Sequence, residues 1–443
     1  MTQFLAIPTP APQHYWLSHG RVPLACLPTD GGDYAPIPDL AAPPFSEDLV
    51  AVHVEITGGQ LSAIVPASQP LPPDVPQYNL HQGLLWPCFV DSHTHLDKGQ
   101  IWPRRPNPDG TFHAALEAAR QDYACWQADD LYRRMEFGLR CSYAHGTQAL
   151  RTHLDYVEGK ETLNFQVFAQ LEQIWSHKLT LQAVGLTAMS IYGQPKAEAF
   201  ANLVADHGAI LGGVIYPDPD LAQWIDRAFV LAEERGLELD FHVDESLDPQ
   251  AEGLRLVAQT KLRRGFQGRV NCGHCCSLSV QATDQAQETM QQVKQADISI
   301  VSLPLCNLYL QDRHQGRMPR YRGVTLLPEL HQLGVAVALA SDNCRDPFFA
   351  YGDHDMVEVL TQSVRIGHLD RPIGDWAKAV TSTPAQMMGL PSGGLLKTHQ
   401  PADIVLFSAR TFNELLSRPQ SDRVVLRQGQ PIDTTPPDYR ELD

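Results

Sequence analysis

From residue 84 onward, short runs of apolar residues alternate with longer segments whose apolar positions recur every three to four residues. Runs of the first kind are typical of buried strands, and segments of the second kind are typical of amphipathic helices. In residues 162–178, for example, Phe165, Phe168 and Leu171 lie at helical spacing. The pattern predicts eight strands, at residues 84–90, 147–154, 179–186, 209–216, 237–242, 269–274, 298–303 and 335–341.

Helical segments separate these strands and continue beyond the last of them. They are predicted at residues 111–122, 129–145, 162–178, 196–207, 221–235, 249–261, 280–296, 326–333, 353–366 and 376–388. Repeated alternation of strand and helix favours a parallel sheet, and eight such units favour a closed barrel. We therefore expect an α/β fold built on a (β/α)8 TIM barrel.

Both ends of the chain carry strand patterns of a different kind. Residues 49–57 alternate as a half-buried strand does, and Gly58-Gly59 joins them to a hairpin partner at residues 61–65. Strands are also predicted at residues 402–407 and 423–427. We expect these strands to form a small β-sandwich domain from residues 1–83 and 391–443, with the barrel at residues 84–390.

Composition narrows the class of protein. The 443 residues suit a barrel of about 250 residues or more plus a smaller domain. The net charge of -17 disfavours nucleic acid and anionic membranes as partners. No apolar run reaches the roughly 18 residues of a membrane span, and we see no signal-peptide pattern. Nine scattered cysteines form no disulfide framework, which predicts reduced thiols and a cytoplasmic protein.

Polar residues with metal-binding side chains follow the predicted strands. His93 and His95 come just past strand one, His242 ends strand five, His274 ends strand six and Asp342 follows strand eight. A single histidine at a strand end is more often structural than catalytic. Because the carboxyl ends of all barrel strands meet at one rim, we expect these five side chains to lie close together.

The residue types indicate a metal-dependent hydrolase. His93, His95, His242 and Asp342 supply three imidazoles and one carboxylate, which suits one Zn²⁺ or Fe²⁺ with a position left for water. Such a metal lowers the water pKa toward about 7, and Asp342 is placed to take the proton. His274 is expected to contact the developing oxyanion. Glu245, three residues past His242, is the predicted general acid.

The same residues occur in motifs with a family resemblance. The motifs are HTHLDK at 93–98, HVDE at 242–245, GHC at 273–275, NLYLQ at 307–311, RGVT at 322–325 and SDNCRDPF at 341–348. Together they resemble the amidohydrolase superfamily, in particular its cytosine deaminase branch, which includes creatinine and N-alkylaminotriazine hydrolases. The resemblance covers residues 49–429 and implies a mononuclear metal hydrolase with a (β/α)8 barrel and a β-sandwich from both chain ends.

Two departures from the family pattern bear on the metal and the substrate. Strand four, at 209–216, contains no lysine to bridge two metal ions, which supports a single ion. The resemblance also implies a glutamine after strand three that reads the pyrimidine edge, and Ala188 stands there, followed by Met189. Phe348 takes the place of the family's tryptophan and keeps an aromatic wall. Gln311, Asp312 or Asn343 could supply substitute hydrogen bonds, and the sequence does not choose among them.

We therefore expect hydrolytic deamination of a small cyclic amidine-like substrate, with cytosine itself a poor fit. Hydrolysis of another C–N bond, in an N-substituted aminotriazine or a cyclic amide, is the alternative reaction. A degenerate metal-binding scaffold is the alternative without catalysis. An intact Glu245 and Asp342 favour an enzyme, because a binding protein needs no proton shuttle. The sequence leaves open whether the chain forms a homo-oligomer.

Overall fold

A computed structural model describes residues 4–28, 47–390, 393–419 and 422–443. The chain divides into two compact units. One comprises Met1–Val90, Arg140–Gln148 and Asp355–Pro437, and the other comprises Asp91–Leu139, Ala149–His354 and Asp438–Asp443. The boundaries expected from the sequence, after residues 83 and 390, stay a prediction, and residue 391 itself lies outside the described residues.

The first unit contains a four-stranded sheet near the start of the chain. Its strands are β1 (His14–Pro23), β2 (Leu49–Thr57), β3 (Gln60–Pro66) and β4 (Gln77–Asn79), in the order β3-β2-β1-β4. The predicted hairpin of β2 and β3 is confirmed. Strand β1 was not expected, because most of its positions are buried and its sequence therefore shows little alternation. Part of the predicted β-sandwich segment 1–83, residues 29–46, lies outside the described residues.

The predicted first barrel strand is in fact two strands in two sheets. Strand β5 (Leu85–Pro87) belongs to an antiparallel sheet, and strand β6 (Phe89–Thr94) opens the barrel. The Cys88 backbone N–H still donates to the Asp403 carbonyl at 3.0 Å, and the Phe89 N–H donates to the Gly146 carbonyl at 2.9 Å, so the chain changes sheets between these two residues. Because β6 continues to Thr94, His93 lies inside the strand rather than past its end, which corrects the expectation.

The barrel itself is confirmed. Eight parallel strands follow in chain order, and each pairs with its neighbours in sequence. After β6 they are β7 (Thr147–Asp155), β8 (Thr180–Leu186), β9 (Ile210–Ile215), β10 (Leu239–Val243), β11 (Val270–His274), β12 (Ser299–Ser302) and β13 (Val337–Leu339). A backbone bridge between Thr94 and Asp342 joins the first strand to the segment after the last.

The helices follow the predicted pattern with three exceptions. Their bounds are α1 (Phe112–Asp122), α2 (Ala128–Ala144), α3 (Leu163–Trp175), α4 (Lys196–Asp206), α5 (Leu221–Arg235), α6 (Gly253–Arg264), α7 (Thr283–Gln295), α8 (Pro304–Leu310), α9 (Leu327–Gln332), α10 (Met356–Gly367), α11 (Ser382–Met387) and α12 (Phe412–Leu416). Helices α8 and α12 were not predicted. The segment expected as one helix at 376–388 is a 3₁₀ helix (Gly374–Val380) followed by α11, because Thr381 leaves the helical backbone region (φ -134, ψ -94).

The last strands, β14 (Ile404–Leu406), β15 (Val424–Arg427) and β16 (Gln430–Pro431), complete the sheet that contains β5, in the order β16-β15-β14-β5. Strand β5 lies in the segment predicted as the first barrel strand, whereas the predicted N-terminal hairpin of β2 and β3 lies in the other four-stranded sheet. The small β domain of residues 1–83 and 391–443 stays a prediction. Strand β14 pairs with β5 on one side and β15 on the other.

Two bulk properties complete the description. All nine cysteines are free thiols, and all but Cys125 are buried. Among the helices that the structure describes, none combines the length and the apolar character needed to cross a bilayer.

Candidate active site

The first barrel strand and the segment after the last one bring His93 and Asp342 together. The Asp342 backbone N–H donates to the His93 carbonyl at 2.9 Å, and the Thr94 hydroxyl donates to the Asp342 carbonyl at 2.8 Å. Upstream, the Asp91 carboxylate accepts from both the backbone and the hydroxyl of Ser341, at 3.1 and 2.5 Å. These bonds fix His93 and Asp342 side by side, although 248 positions separate Thr94 from Asp342.

Four of the predicted ligands converge on one point. Asp342 Oδ1 lies 3.6 Å from His93 Nε2 and 3.3 Å from His95 Nε2. His95 Nε2 in turn lies 3.2 Å from His242 Nε2, which strand β10 presents. The His93 ring also packs on Gly273, where a Cβ would come within 2.9 Å of Cε1, so only glycine admits this approach.

The spacing and the unsatisfied atoms fit a divalent cation. Four ligand atoms at the corners of a tetrahedron, each 2.0–2.1 Å from a metal, stand about 3.3 Å apart. Buried polar atoms nearly always find hydrogen-bond partners, yet both ring nitrogens of His93 and both carboxylate oxygens of Asp342 have none. The donor set of imidazole nitrogen and carboxylate oxygen is compatible with a single divalent metal.

Burial sets the charge state of the cluster. It lowers the pKa of His93, His95 and His242 well below the ordinary histidine value, and the neighbouring histidines lower it further. Neutral imidazoles keep a lone pair available for a cation. Burial also raises the pKa of Asp342 to about 8, a cost that a bound cation would offset.

A charged layer lies next to these ligands inside the barrel. Arg151 and Asp240 form an ion pair at 2.8 Å with both side chains buried. Arg151 also donates to the side-chain amide oxygen of Gln182. The other Asp240 oxygen lies 3.3 Å from His153 Nε2. The His153 ring stacks against His93 with centroids 3.9 Å apart, so the ion pair holds a ring that supports a ligand.

Glu245, His274 and Asn307 form a second cluster beside the ligands. The Asn307 side-chain nitrogen donates to Glu245 Oε1 at 3.2 Å and to His274 Nδ1 at 3.0 Å. A histidine that accepts at Nδ1 carries its proton on Nε2. Nε2 has no partner within the protein, so it is free to donate to a reacting oxygen. Burial raises the pKa of Glu245 well above its ordinary value, with the Asp342 carboxyl adding to the effect, which favours the protonated acid.

The neighbours of Glu245 have structural tasks. Asp244 accepts from the backbone N–H groups of Gly253 and Leu254, at 3.2 and 3.0 Å, and so caps helix α6. Gln311 donates to the Glu245 carbonyl at 3.2 Å. Both contacts hold the loop that carries Glu245.

Several residues of the site have left-handed backbone. Asp244 (φ 47) adopts it directly after β10, His274 (φ 67) at the last residue of β11 and Asp342 (φ 62) three residues past β13. Non-glycine residues rarely take this conformation, and where they do they often lie at functional sites. The left-handed residue turns the backbone, so each chain segment changes direction at the barrel rim.

A buried lysine adjoins the ligands on the cavity side. Lys98 Nζ lies 3.0 Å from His95 Nδ1, 2.8 Å from Asp155 Oδ1 and 3.4 Å from Asp97 Oδ1. Tyr123 donates to the other Asp155 oxygen at 2.7 Å. The two carboxylates raise the pKa of Lys98 despite its burial, so the ammonium charge is retained in the wall of the cavity.

A cavity of about 400 Å³ opens beside the ligands. Of the predicted substrate residues, Ala188, Asn343 and Phe348 line it, and Met189 and Gln311 are not in its wall. Met189 points into the barrel wall instead, since a Cβ at Gly213 would come within 2.5 Å of its sulfur. Asp312, the other candidate, bonds to backbone nitrogens of Arg320 and Tyr321.

Sequence reasoning missed several residues that the barrel places at the cavity. They include Lys98, Asp155, Tyr216 and, beside Glu245, Asn307. Asp155 ends β7 and Tyr216 directly follows β9. The sequence analysis looked for metal-binding side chains at the carboxyl ends of the predicted strands. A search for any polar side chain at those ends would also have found Asp155 and Tyr216. Asn307 gave no such signal, because helix α8 was not predicted.

The fold and the site together define a barrel hydrolase of the metal-dependent kind. Comparison with known proteins identifies the family. The amidohydrolase family model matches residues 109–433, and the chain belongs to that family. It is a hydrolase that acts on C–N bonds and deaminates a small heterocycle, rather than a scaffold without catalysis.

Individual relatives agree with this assignment. The chain is 48% identical over 402 residues to a pterin deaminase of Rhizobium rhizogenes (strain K84 / ATCC BAA-868), across 90% of this chain and 92% of that protein. Its fold resembles 5-methylcytosine deaminase from Klebsiella pneumoniae (TM-score 0.81, 21% identity, 94% and 97% of the two chains). It also resembles N-isopropylammelide isopropylaminohydrolase from Burkholderia multivorans ATCC 17616 (TM-score 0.73, 22% identity, 95% and 98%).

The position of Asn307 generates a prediction. Asn307→Ala removes the donor to both His274 and Glu245, so kcat should fall by roughly 10-fold or more while the metal content stays the same. Ammonia release and elemental analysis on the same preparation measure the two quantities. Gln281→Ala, which removes an amide that donates only to a backbone carbonyl, is the control and should keep kcat. Equal kcat in both variants would contradict the positioning of His274 and Glu245 by Asn307.

Proposed function

We propose that this protein deaminates 2-amino-4-oxopteridines, replacing the amino group on carbon 2 by oxygen and releasing ammonia. The observation that carries the proposal is the 48% identity to a pterin deaminase across 90% of the chain. The pocket supports it independently. Ala188 and Phe348 line a cavity of about 400 Å³, and Ala188 stands where a deaminase of single pyrimidine rings is expected to carry a glutamine.

We assign the metal to His93, His95, His242 and Asp342. The His95–His242, His95–Asp342 and His93–Asp342 pairs of ligand atoms lie 3.2–3.6 Å apart. The buried ring nitrogens of His93 and the carboxylate oxygens of Asp342 have no hydrogen-bond partners. A bound Zn²⁺ or Fe²⁺ supplies a water of lowered pKa and polarises the group under attack. The chain's own contribution is to keep three imidazoles neutral and aimed at one point.

Three side chains handle protons in the proposed reaction. Asp342 accepts the proton of the attacking water, since its carboxylate adjoins the reacting centre. Glu245 donates a proton to the ring nitrogen next to carbon 2, takes one from the hydroxyl then bound to that carbon and passes it to the departing amine. The proton held by Asp342 then restores the Glu245 acid. His274 donates from Nε2 to the developing oxyanion, in the tautomer that its bond to Asn307 selects.

The first prediction from the proposed function concerns the metal. Purified protein should contain about one equivalent of Zn²⁺ or Fe²⁺ per chain, because a single three-imidazole, one-carboxylate cluster is available. Elemental analysis measures it, and chelation followed by addition of either ion identifies the one that restores activity. His242→Ala should lose the bound metal, whereas His113→Ala, at an exposed histidine in α1, should retain it. Two bridged ions per chain would contradict the assignment.

The second prediction concerns Glu245. Glu245→Gln keeps the size and the contact with Asn307 but cannot shuttle a proton, so kcat should fall by at least ~10² with metal content unchanged. If Glu245 had only a structural task, the rate would hardly change. A variant with wild-type turnover would remove Glu245 from the mechanism.

The third prediction tests the proposed substrate. Steady-state kinetics of the metal-loaded enzyme should give a kcat/KM for pterin at least ~10² above that for cytosine, and cytosine should stay below ~10⁵ M⁻¹s⁻¹. Ala188→Gln fills part of the cavity and restores an amide at its edge, so it should reduce the preference for pterin. Turnover of cytosine at or above the rate of pterin would refute the proposed function.

A further inference from the structure

Tyr216 lines the substrate cavity and carries an unsatisfied hydroxyl. The residue directly follows β9, and its hydroxyl oxygen is buried without a hydrogen-bond partner in the protein. Two other tyrosine hydroxyls nearby are satisfied: Tyr123 donates to Asp155 and Tyr192 donates to the Gly212 carbonyl, each at 2.7 Å. Since buried hydroxyls are seldom left unpaired, the exception at Tyr216 indicates a partner that arrives from the cavity.

The surroundings of Tyr216 fit a flat ligand. The Phe112 ring meets Tyr216 at a centroid distance of 5.7 Å and meets Phe348 at 5.6 Å, both edge-on. All three rings line the cavity. Aromatic walls of this kind bind a planar heterocycle through stacking and edge contacts, and the phenol adds one polar group to an otherwise apolar surface.

Tyr216 is not among the assigned metal ligands or proton donors. It directly follows β9, whereas the assigned metal ligands come from β6 and the residue after it, from β10 and from the segment after β13, and the proton donors come from β11 and the segment after β10. Glu245 and His274 already address the reacting ring carbon and its neighbouring nitrogen in the proposed mechanism. The hydroxyl is therefore available for an atom elsewhere on the substrate.

We propose that Tyr216 is a specificity-determining residue whose hydroxyl donates a hydrogen bond to a non-reacting acceptor atom of the bound pteridine, either the 4-oxo oxygen or a nitrogen of the second ring. The inference rests on the proposed function. In this proposal Tyr216 recognises a polar atom of the substrate by hydrogen bonding, which the alanine side chain at position 188 cannot do.

The phenol acts as a donor in this interaction. Burial raises the pKa of Tyr216 well above its ordinary value, and the nearby Glu245 adds to the effect, so the hydroxyl keeps its proton across the working pH range. An acceptor on the substrate satisfies a group that the free enzyme leaves unpaired. A substrate without that acceptor keeps the hydroxyl unpaired and is discriminated against.

The test combines a protein change with single-atom changes in the substrate. Wild type and Tyr216→Phe are compared on pterin, 5-deazapterin, 8-deazapterin and 2-aminopteridine, which lacks the 4-oxo group. On pterin, Tyr216→Phe should lower kcat/KM by about 10-fold or more. On the one analogue that lacks the recognised acceptor, the kcat/KM values of wild type and Tyr216→Phe should agree within about twofold. Metal content should be the same in both proteins.

Tyr192→Phe is the matched control, because it removes a buried tyrosine hydroxyl that bonds to backbone. It should lower the unfolding temperature without changing the ranking of the four substrates. Equal kcat/KM of wild type and Tyr216→Phe on pterin would overturn the inference, and so would a penalty of the same size on all four compounds, which indicates a structural role. A wild-type enzyme that fails on pterin would instead overturn the proposed function, and the inference with it.

Discussion

The active site depends on the closure of the barrel between its first strand and the segment after its last. The backbone bonds of His93 with Asp342, the bond from the Thr94 hydroxyl and the two bonds from Ser341 to Asp91 make that closure. They set the distance between His93, His95 and Asp342, and the adjacent strands β10 and β11 add His242 and His274.

Burial suppresses charge in the site and leaves several of its polar groups unsatisfied. Three buried imidazoles are kept neutral, Asp342 has a raised pKa, and several polar atoms lack partners. In a protein without a ligand task, such groups would cost stability with no return. Left-handed backbone at Asp244 and His274 adds to that cost. A cation and a substrate are the partners that would satisfy these groups, and the barrel scaffold supplies the stability that holds them in place.

The cavity separates a reactive end from a recognition end. In the proposed mechanism, the metal ligands, Glu245 and His274 lie at the reactive end, and their motifs match the family resemblance. At the recognition end, Ala188 and Phe348 leave room and apolar surface. Tyr216 brings a polar group from the end of a strand that the motifs do not cover, and Lys98 brings one from the motif at 93–98. One catalytic set can thus serve different rings, because a different group of residues selects the ring.

The sequence by itself determined the barrel and the strands at both chain ends, and it predicted the site residues. Strand and helix periodicity is local, and a parallel barrel places every strand end at one rim, so position along the chain was enough to group the histidines with Asp342. Tertiary structure alone decided where His93 lies in its strand, that Met189 turns into the barrel wall beside Gly213, and that Asn307 bridges Glu245 and His274. Those contacts depend on which side chains meet across strands and loops that are distant in sequence. An unpaired hydroxyl such as that of Tyr216 is likewise visible only when all its neighbours are known.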